Sequence, residues 1–270
     1  MINVSVRLLT GATPFLDTRT RSMKILSDQH TAFELETHQP ELAFLPIGAT
    51  EQHSRHLPLA TDTILADQLS TAILEQLDWP GHVFLLPTLP VSSSEENTGY
   101  RGTISFTPLT MRSIVRDIWD SLTRVGIQKL IVCPWHGGNF ILKPIIRELN
   151  CEKQQCHLFY LNPWEQVPAA IYDQFAHGFE VHCGDVETSL MLALNPEYVK
   201  AERVDNPTPH FKAPLQDMWS MKTLSGGEGH TGHPTQATAA KGEIFKQAVI
   251  ENSVRYLQEL LELSQQYPEY

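Results

Sequence analysis

The densest concentration of chemistry-bearing side chains lies at 48–63, Gly-Ala-Thr-Glu-Gln-His-Ser-Arg-His-Leu-Pro-Leu-Ala-Thr-Asp-Thr. Glu51 and His53 are two residues apart, so an extended backbone aims both side chains to one side. Asp62 follows at the expected start of a helix. A carboxylate can bridge two cations, while an imidazole and a further carboxylate each hold one. This mixture of oxygen and nitrogen donors suits Zn, Mn or Fe rather than a thiolate structural zinc. Taken alone, Asp62 also reads as a helix N-cap and His53 as a loop histidine. Taken as a set, the three read as ligands.

Two more clusters carry the same residue types. His136 closes an apolar run and precedes Gly137-Gly138, which let the backbone approach a ligand or adopt positive φ. It reads either as a ligand or as a hydrogen-bonded turn histidine. The third cluster is His182-Cys183-Gly184-Asp185-Val186-Glu187. Glu187 falls in the first turn of an expected helix, where it either answers the helix dipole or ligates. His182 is placed as an acid or base, and Cys183 reads as a small packing residue. The segment 226–234 (Gly-Gly-Glu-Gly-His-Thr-Gly-His-Pro) reads as a flexible loop able to close over a pocket. No strand precedes it, so it is no dinucleotide fingerprint. The chain contains no G-x-S-x-G elbow, Cys133 belongs to a buried strand, and His38, His82, His157 and His177 read as structural.

The elements that must position these residues alternate in type. Apolar runs at 42–47, 82–86, 129–133 and 157–161 read as strands. Helical periodicity marks 62–77 (a surface helix), 108–125, 140–149, 186–194 and 239–263. Gly126 is the expected stop of the second of these helices. Near-continuous apolar strands alternating with helices predict an α/β fold with a mostly parallel sheet sandwiched by helices, as one domain over 1–270. In such folds sites form beyond the carboxyl ends of strands. The loops after Ile47 and after Cys133 both leave there.

Composition narrows the function classes. Twenty basic against thirty-one acidic residues leave a formal charge of −11. That argues against nonspecific nucleic-acid or anionic-membrane partners. Apolar runs fall short of a bilayer span, and 1–20 shows no secretory h-region. Four cysteines without a CxxC pair predict no disulfide framework. A cytoplasmic protein is the expectation.

Several ordered blocks resemble the creatininase (creatinine amidohydrolase) family. They are Gly-Ala-Thr-Glu-Gln-His with His-Leu-Pro-Leu-Ala-Thr-Asp-Thr after it, then Gly102-Thr103-Ile104-Ser105, His136-Gly137-Gly138-Asn139 and the run from Val186 to Leu194. Ala240-Lys241-Gly242-Glu243 is similar too. The resemblance implies a creatininase-like three-layer domain and a homo-oligomer, commonly a hexamer. It also implies two divalent metal ions (Zn, Mn or Fe) sharing a water that hydrolyses an amide. By position, Glu51 binds one metal, His53 the other, Asp62 bridges, His136 completes the first and His182 transfers a proton.

The departures bear on substrate. Creatininase proper has a metal-binding glutamate two residues after the histidine matching His136, where this chain has Gly138. Glu187 is expected to supply the missing carboxylate. Val181 replaces the glutamate before the active-site histidine, the 92–100 loop differs, and Asn97 stands where many relatives have histidine. The family hydrolyses creatinine, formamidopyrimidines and a peptide precursor. These changes favour another small cyclic or formylated amide as substrate. The alternative is a non-catalytic metal- or metabolite-binding protein on the same fold. A phosphoesterase is disfavoured by the lack of a basic cluster near the site.

Overall fold

The structure is a computed structural model that describes residues 23–152, 156–175, 179–208 and 220–267. The expectations for 1–20 and for His177 lie outside the described residues. In chain order the elements are β1 (Ile25–Leu26), α1 (Ala32–His38), β2 (Leu42–Ile47), α2 (Thr61–Gln76), β3 (Val83–Leu85), α3 (Pro108–Arg124) and β4 (Lys129–Pro134). They continue with α4 (Leu142–Asn150), β5 (His157–Tyr160), the single turns α5 (Pro163–Gln166) and α6 (Ala169–Tyr172), α7 (Asp185–Leu194), the single turn α8 (Met221–Leu224) and α9 (Ala239–Gln266).

Among the described residues these five strands pair in parallel, in the order β1-β3-β2-β4-β5. The strands are apolar on both faces because helices cover both. Leu42 and Phe44 of β2, with Ile131 and Cys133 of β4, pack in one core with α2, α7 and α9. The alternating Ala43, Leu45 and Ile47, with Leu130 and Val132, pack against α3 and α4. This is the three-layer α/β arrangement that the alternation of runs predicted. No helix among the described residues is long and apolar enough to cross a membrane.

Local differences from the expected elements have physical causes. β1 escaped the sequence reading because two residues show no period. The helix expected at 140–149 starts as a 3-10 turn, Gly137–Ile141, before α4. α2 carries the expected one-sided stripe: Leu65, Ala66, Leu69, Ser70, Ile73 and Leu74 are buried toward β2 and α9, while Asp67, Glu75 and Gln76 face outward. Asp62 is not its N-cap, because the cap position is Ala60.

Two features of this frame hold the site. β2 and β4 are neighbours in register, with Ile47 opposite Pro134. The loops that leave them therefore start side by side at the carboxyl edge of the sheet. On the other side, α7 lies tightly along α9. Gly242 makes that approach possible, since a Cβ there would sit 2.0 Å from the Ser189 carbonyl oxygen. The buried Asp185 carboxylate ties the helices further, accepting from Lys241 Nζ at 2.6 Å and Ser189 Oγ at 3.1 Å. Gly242→Ala is expected to overpack this contact and lower stability by about 1–3 kcal/mol in denaturant unfolding; an unchanged midpoint would show that the helices separate at no cost.

Candidate metal centre

Glu51 and His53 follow β2 and Asp62 sits in the first turn of α2, while His136 follows β4 and His182 and Glu187 flank the start of α7. All six come together. Their donor atoms fall into two groups, each within 4.8 Å internally: Glu51, Asp62 and His136; and His53, His182, Cys183 and Glu187. Asp62 joins the groups, with Oδ1 3.3 Å from His53 Nε2 and Oδ2 3.4 Å from His136 Nδ1. Glu51 Oε1 lies 3.1 Å from His136 Nδ1 and 3.7 Å from His182 Nδ1.

The outer nitrogens of the three imidazoles face acceptor oxygens. His53 Nδ1 donates to the Glu51 carbonyl at 3.1 Å and His182 Nε2 to the Gln52 carbonyl at 2.8 Å. A carbonyl only accepts, so these contacts require the proton on that nitrogen. His136 Nε2 faces Glu96 Oε1 at 3.1 Å and Ser94 Oγ at 3.4 Å, which favours its proton there too. The inner nitrogens are left facing Glu51, Asp62 and Glu187. Outer-nitrogen hydrogen bonds of this kind orient metal-ligating histidines.

Both oxygens of Glu51 and Oδ2 of Asp62 are buried without a hydrogen-bond partner. His136 Nδ1 is close to two of them but aligned with neither for a hydrogen bond. Buried carboxylate oxygens are seldom left so, and a cation is the group that would satisfy them. The residues present therefore fit a metal.

The electrostatics agree. Burial disfavours charge on Glu51, but the imidazoles of His136, His182 and His53 outweigh it and hold its pKa down to about 2. Burial likewise opposes charge on His53, yet Asp62, Glu187 and Glu51 push its pKa up to about 9. His136 rises well above the ordinary value against its own burial, through Glu51 and Glu96. The carboxylates draw protons onto the imidazoles, as a site built for positive charge does in its absence.

Glu187 has two partners. Its Oε2 accepts from the Cys183 N–H at 2.5 Å and lies 4.0 Å from His182 Nδ1. The two sequence alternatives, answering the helix dipole from the first turn and ligating, do not compete, because a carboxylate placed there keeps lone pairs for a cation. Other expectations change. The 226–234 segment is not a free lid: Thr231 is fully buried, His230 nearly so, and the Gly229 carbonyl accepts from Gln52 Nε2 at 2.6 Å. Asn97 is buried and accepts from the same Gln52 nitrogen at 2.7 Å.

Glu96 escaped the sequence reading, since nothing in Ser-Glu-Glu-Asn distinguishes it from Glu95. Gly138 makes its place. A Cβ at Gly138 would lie 2.5 Å from His136 Nε2 and 2.7 Å from Glu96 Oε1. Where the creatininase pattern puts a glutamate after the histidine, this chain leaves room for one arriving from the 92–100 loop. A cavity of about 780 Å³ opens over the cluster, lined by Glu96, His136, His182 and Glu187 and by the aromatic rings of Trp164, Tyr172 and Phe175. These rings gather around the buried Phe245.

Two outcomes are expected. Cation binding must expel protons from His53 and His136, so calorimetry in buffers of different ionisation heat should register proton release. Apparent affinity should then climb with pH up to about 9, where His53 loses its proton unaided; an affinity flat in pH would contradict this ligand set. Glu96→Gln should weaken metal binding roughly 10- to 100-fold by loosening His136, and wild-type affinity in that variant would make Glu96 a bystander.

Comparison with known proteins places this arrangement. The family model for Creatininase, described as creatinine amidohydrolase, matches residues 28–257. The chain is 29% identical over 232 residues to the mycofactocin precursor peptide peptidase of Mycobacterium ulcerans, spanning 81% of this chain and 85% of that one. It is 30% identical over 226 residues to the creatinine amidohydrolase of Pseudomonas putida, spanning 77% and 85%. A solved creatininase with Mn shares the fold, with a TM-score of 0.74 at 24% identity over 87% of this chain and 98% of that chain. The chain belongs to the creatininase family of amidohydrolases.

Proposed function

We propose that the chain is a two-cation hydrolase of a carbon–nitrogen amide bond in a small cyclic or formylated amide. The observation that carries this reading is the set of buried carboxylate oxygens without partners, faced by imidazoles whose outer nitrogens are already engaged. Glu51, Asp62 and His136 would hold one cation; His53, Glu187 and the shared Asp62 would hold the other. Zn, Mn or Fe suits these donors, and the Mn in a solved creatininase supports that class. When bound, the cations supply Lewis acidity and a hydrolytic nucleophile at neutral pH.

The chain's own groups do the rest. His182 Nε2 is committed to the Gln52 carbonyl, so Nδ1 is its reactive atom, and the ring lines the cavity. From there Nδ1 takes a proton from the hydrolytic water and returns it to the leaving nitrogen. Trp164, Tyr172 and Phe175 exclude water and hold the apolar part of the substrate. A cavity of about 780 Å³ has room for a small cyclic or formylated amide and its substituents.

Elemental analysis of the purified protein should give two cations per chain. A panel of amides and formamides should show metal-dependent release of amine, ammonia or formate. Ligand binding without release would instead favour a binding protein on this fold. Asp62→Asn is expected to abolish turnover and to halve the metal content, because it removes the group shared by both cations. Full activity in that variant would overturn the assignment.

A further inference from the structure

Cys183 is fully buried, as a packing residue is, but its sulfur also belongs to the polar cluster. Sγ lies within 4.8 Å of donor atoms of His53, His182 and Glu187. The residue adopts φ 53°, the left-handed region that side chains other than Gly, Asn and Asp seldom occupy. Such a conformation persists where the surroundings over-determine it, and it clusters at functional sites.

Here the restraint comes from both sides. The Cys183 N–H donates to Glu187 Oε2 at 2.5 Å, and its carbonyl accepts from His56 Nε2 at 3.0 Å and Thr188 Oγ1 at 3.4 Å. The partnerless buried oxygens, those of Glu51 and Asp62 Oδ2, mark the neighbouring half of the centre. In this half the sign of a ligand is the convergence of four donor side chains, His53, His182, Cys183 and Glu187, of which the first three are buried.

We propose that Cys183 Sγ is a thiolate ligand of the cation held by His53 and Glu187, and that it makes this half of the site select zinc over manganese. The inference rests on the two-cation reading. Binding replaces the S–H bond by a sulfur–metal bond and releases the proton to solvent, with no change of oxidation state. A thiolate is a soft donor that favours Zn over the harder Mn. The Glu51, Asp62 and His136 half has no sulfur and accepts either ion. The two halves of the centre therefore differ in the metal they prefer. His182 stays free for proton transfer.

Cobalt(II) reports the sulfur directly, because a Co(II)–thiolate bond gives an intense near-ultraviolet charge-transfer band. The full chain, stripped of metal and reloaded with Co(II), should show that band, and Cys183→Ser should lose it while still taking up cobalt. Should Cys183→Ser fail to fold, the Cys151→Ser/Cys156→Ser double variant decides, since the proposal requires it to keep the band. Bound cobalt with no band overturns the thiolate ligand and leaves the two-cation reading standing. A band that survives in Cys183→Ser overturns it in favour of another cysteine. No cobalt uptake at all removes both readings together. Zinc–manganese competition gives a second readout: zinc preference at one of the two sites should disappear in Cys183→Ser.

Discussion

Asp62 is the constraint on which the centre depends. Its carboxylate is buried between His53 and His136, and Glu51 is buried beside it with neither oxygen hydrogen-bonded. Two carboxylates this close and this dry repel each other and lose their hydration, a cost of several kcal/mol per ion unless positive charge answers it. Imidazolium can answer it in part, and divalent cations answer it fully. Every element around the cluster serves to keep those groups converged against that repulsion.

The fold meets this requirement with rigid parts. β2 and β4 run side by side and end together, so the loops bearing Glu51, His53 and His136 begin from fixed neighbouring points. α2 is buried along one face and cannot rotate its first turn, which carries Asp62. α7 is seated against α9 through Gly242 and the Asp185–Lys241 ion pair, and that sets Glu187 and Cys183. Second contacts then fix each ring: backbone carbonyls for His53 and His182, a carboxylate and a hydroxyl for His136. Preorganisation of this kind holds donors in place before a ligand arrives.

Relatives named for a creatinine ring and for a peptide precursor match 77% and 81% of this chain, so different names attach to one family frame. Chemistry and recognition are separable in it. The carboxylate–imidazole cluster lies on the strand ends and the start of α7, whereas the cavity wall comes from single turns and loops such as Trp164 and Tyr172. Loops tolerate change better than packed elements, so substrate choice can shift while the cluster stays. Gly138 and Glu96 show the same freedom closer in, with a carboxylate reaching His136 from a different loop.

Much of this was legible in the sequence. Continuous apolar strands alternating with periodic helices specify a covered parallel sheet, because only a sheet buried on both faces needs such strands. The spacing of Glu51 and His53 and the residue types at Asp62, His136 and Glu187 pointed to ligation, and His182 to proton transfer, and folding does bring the six together. Tertiary structure alone decided the rest. Glu96 against His136 and Gln52 beneath His182 are contacts between distant segments, with no local period to announce them. The 226–234 segment reads as a mobile loop, yet its second half, from Gly229 to Gly232, is buried while Gly226 and Gly227 stay exposed. Cys183 reads as filler until its left-handed backbone and its neighbours are seen. Local pattern records which face of an element is apolar; which polar atoms end up facing one another depends on how the elements pack.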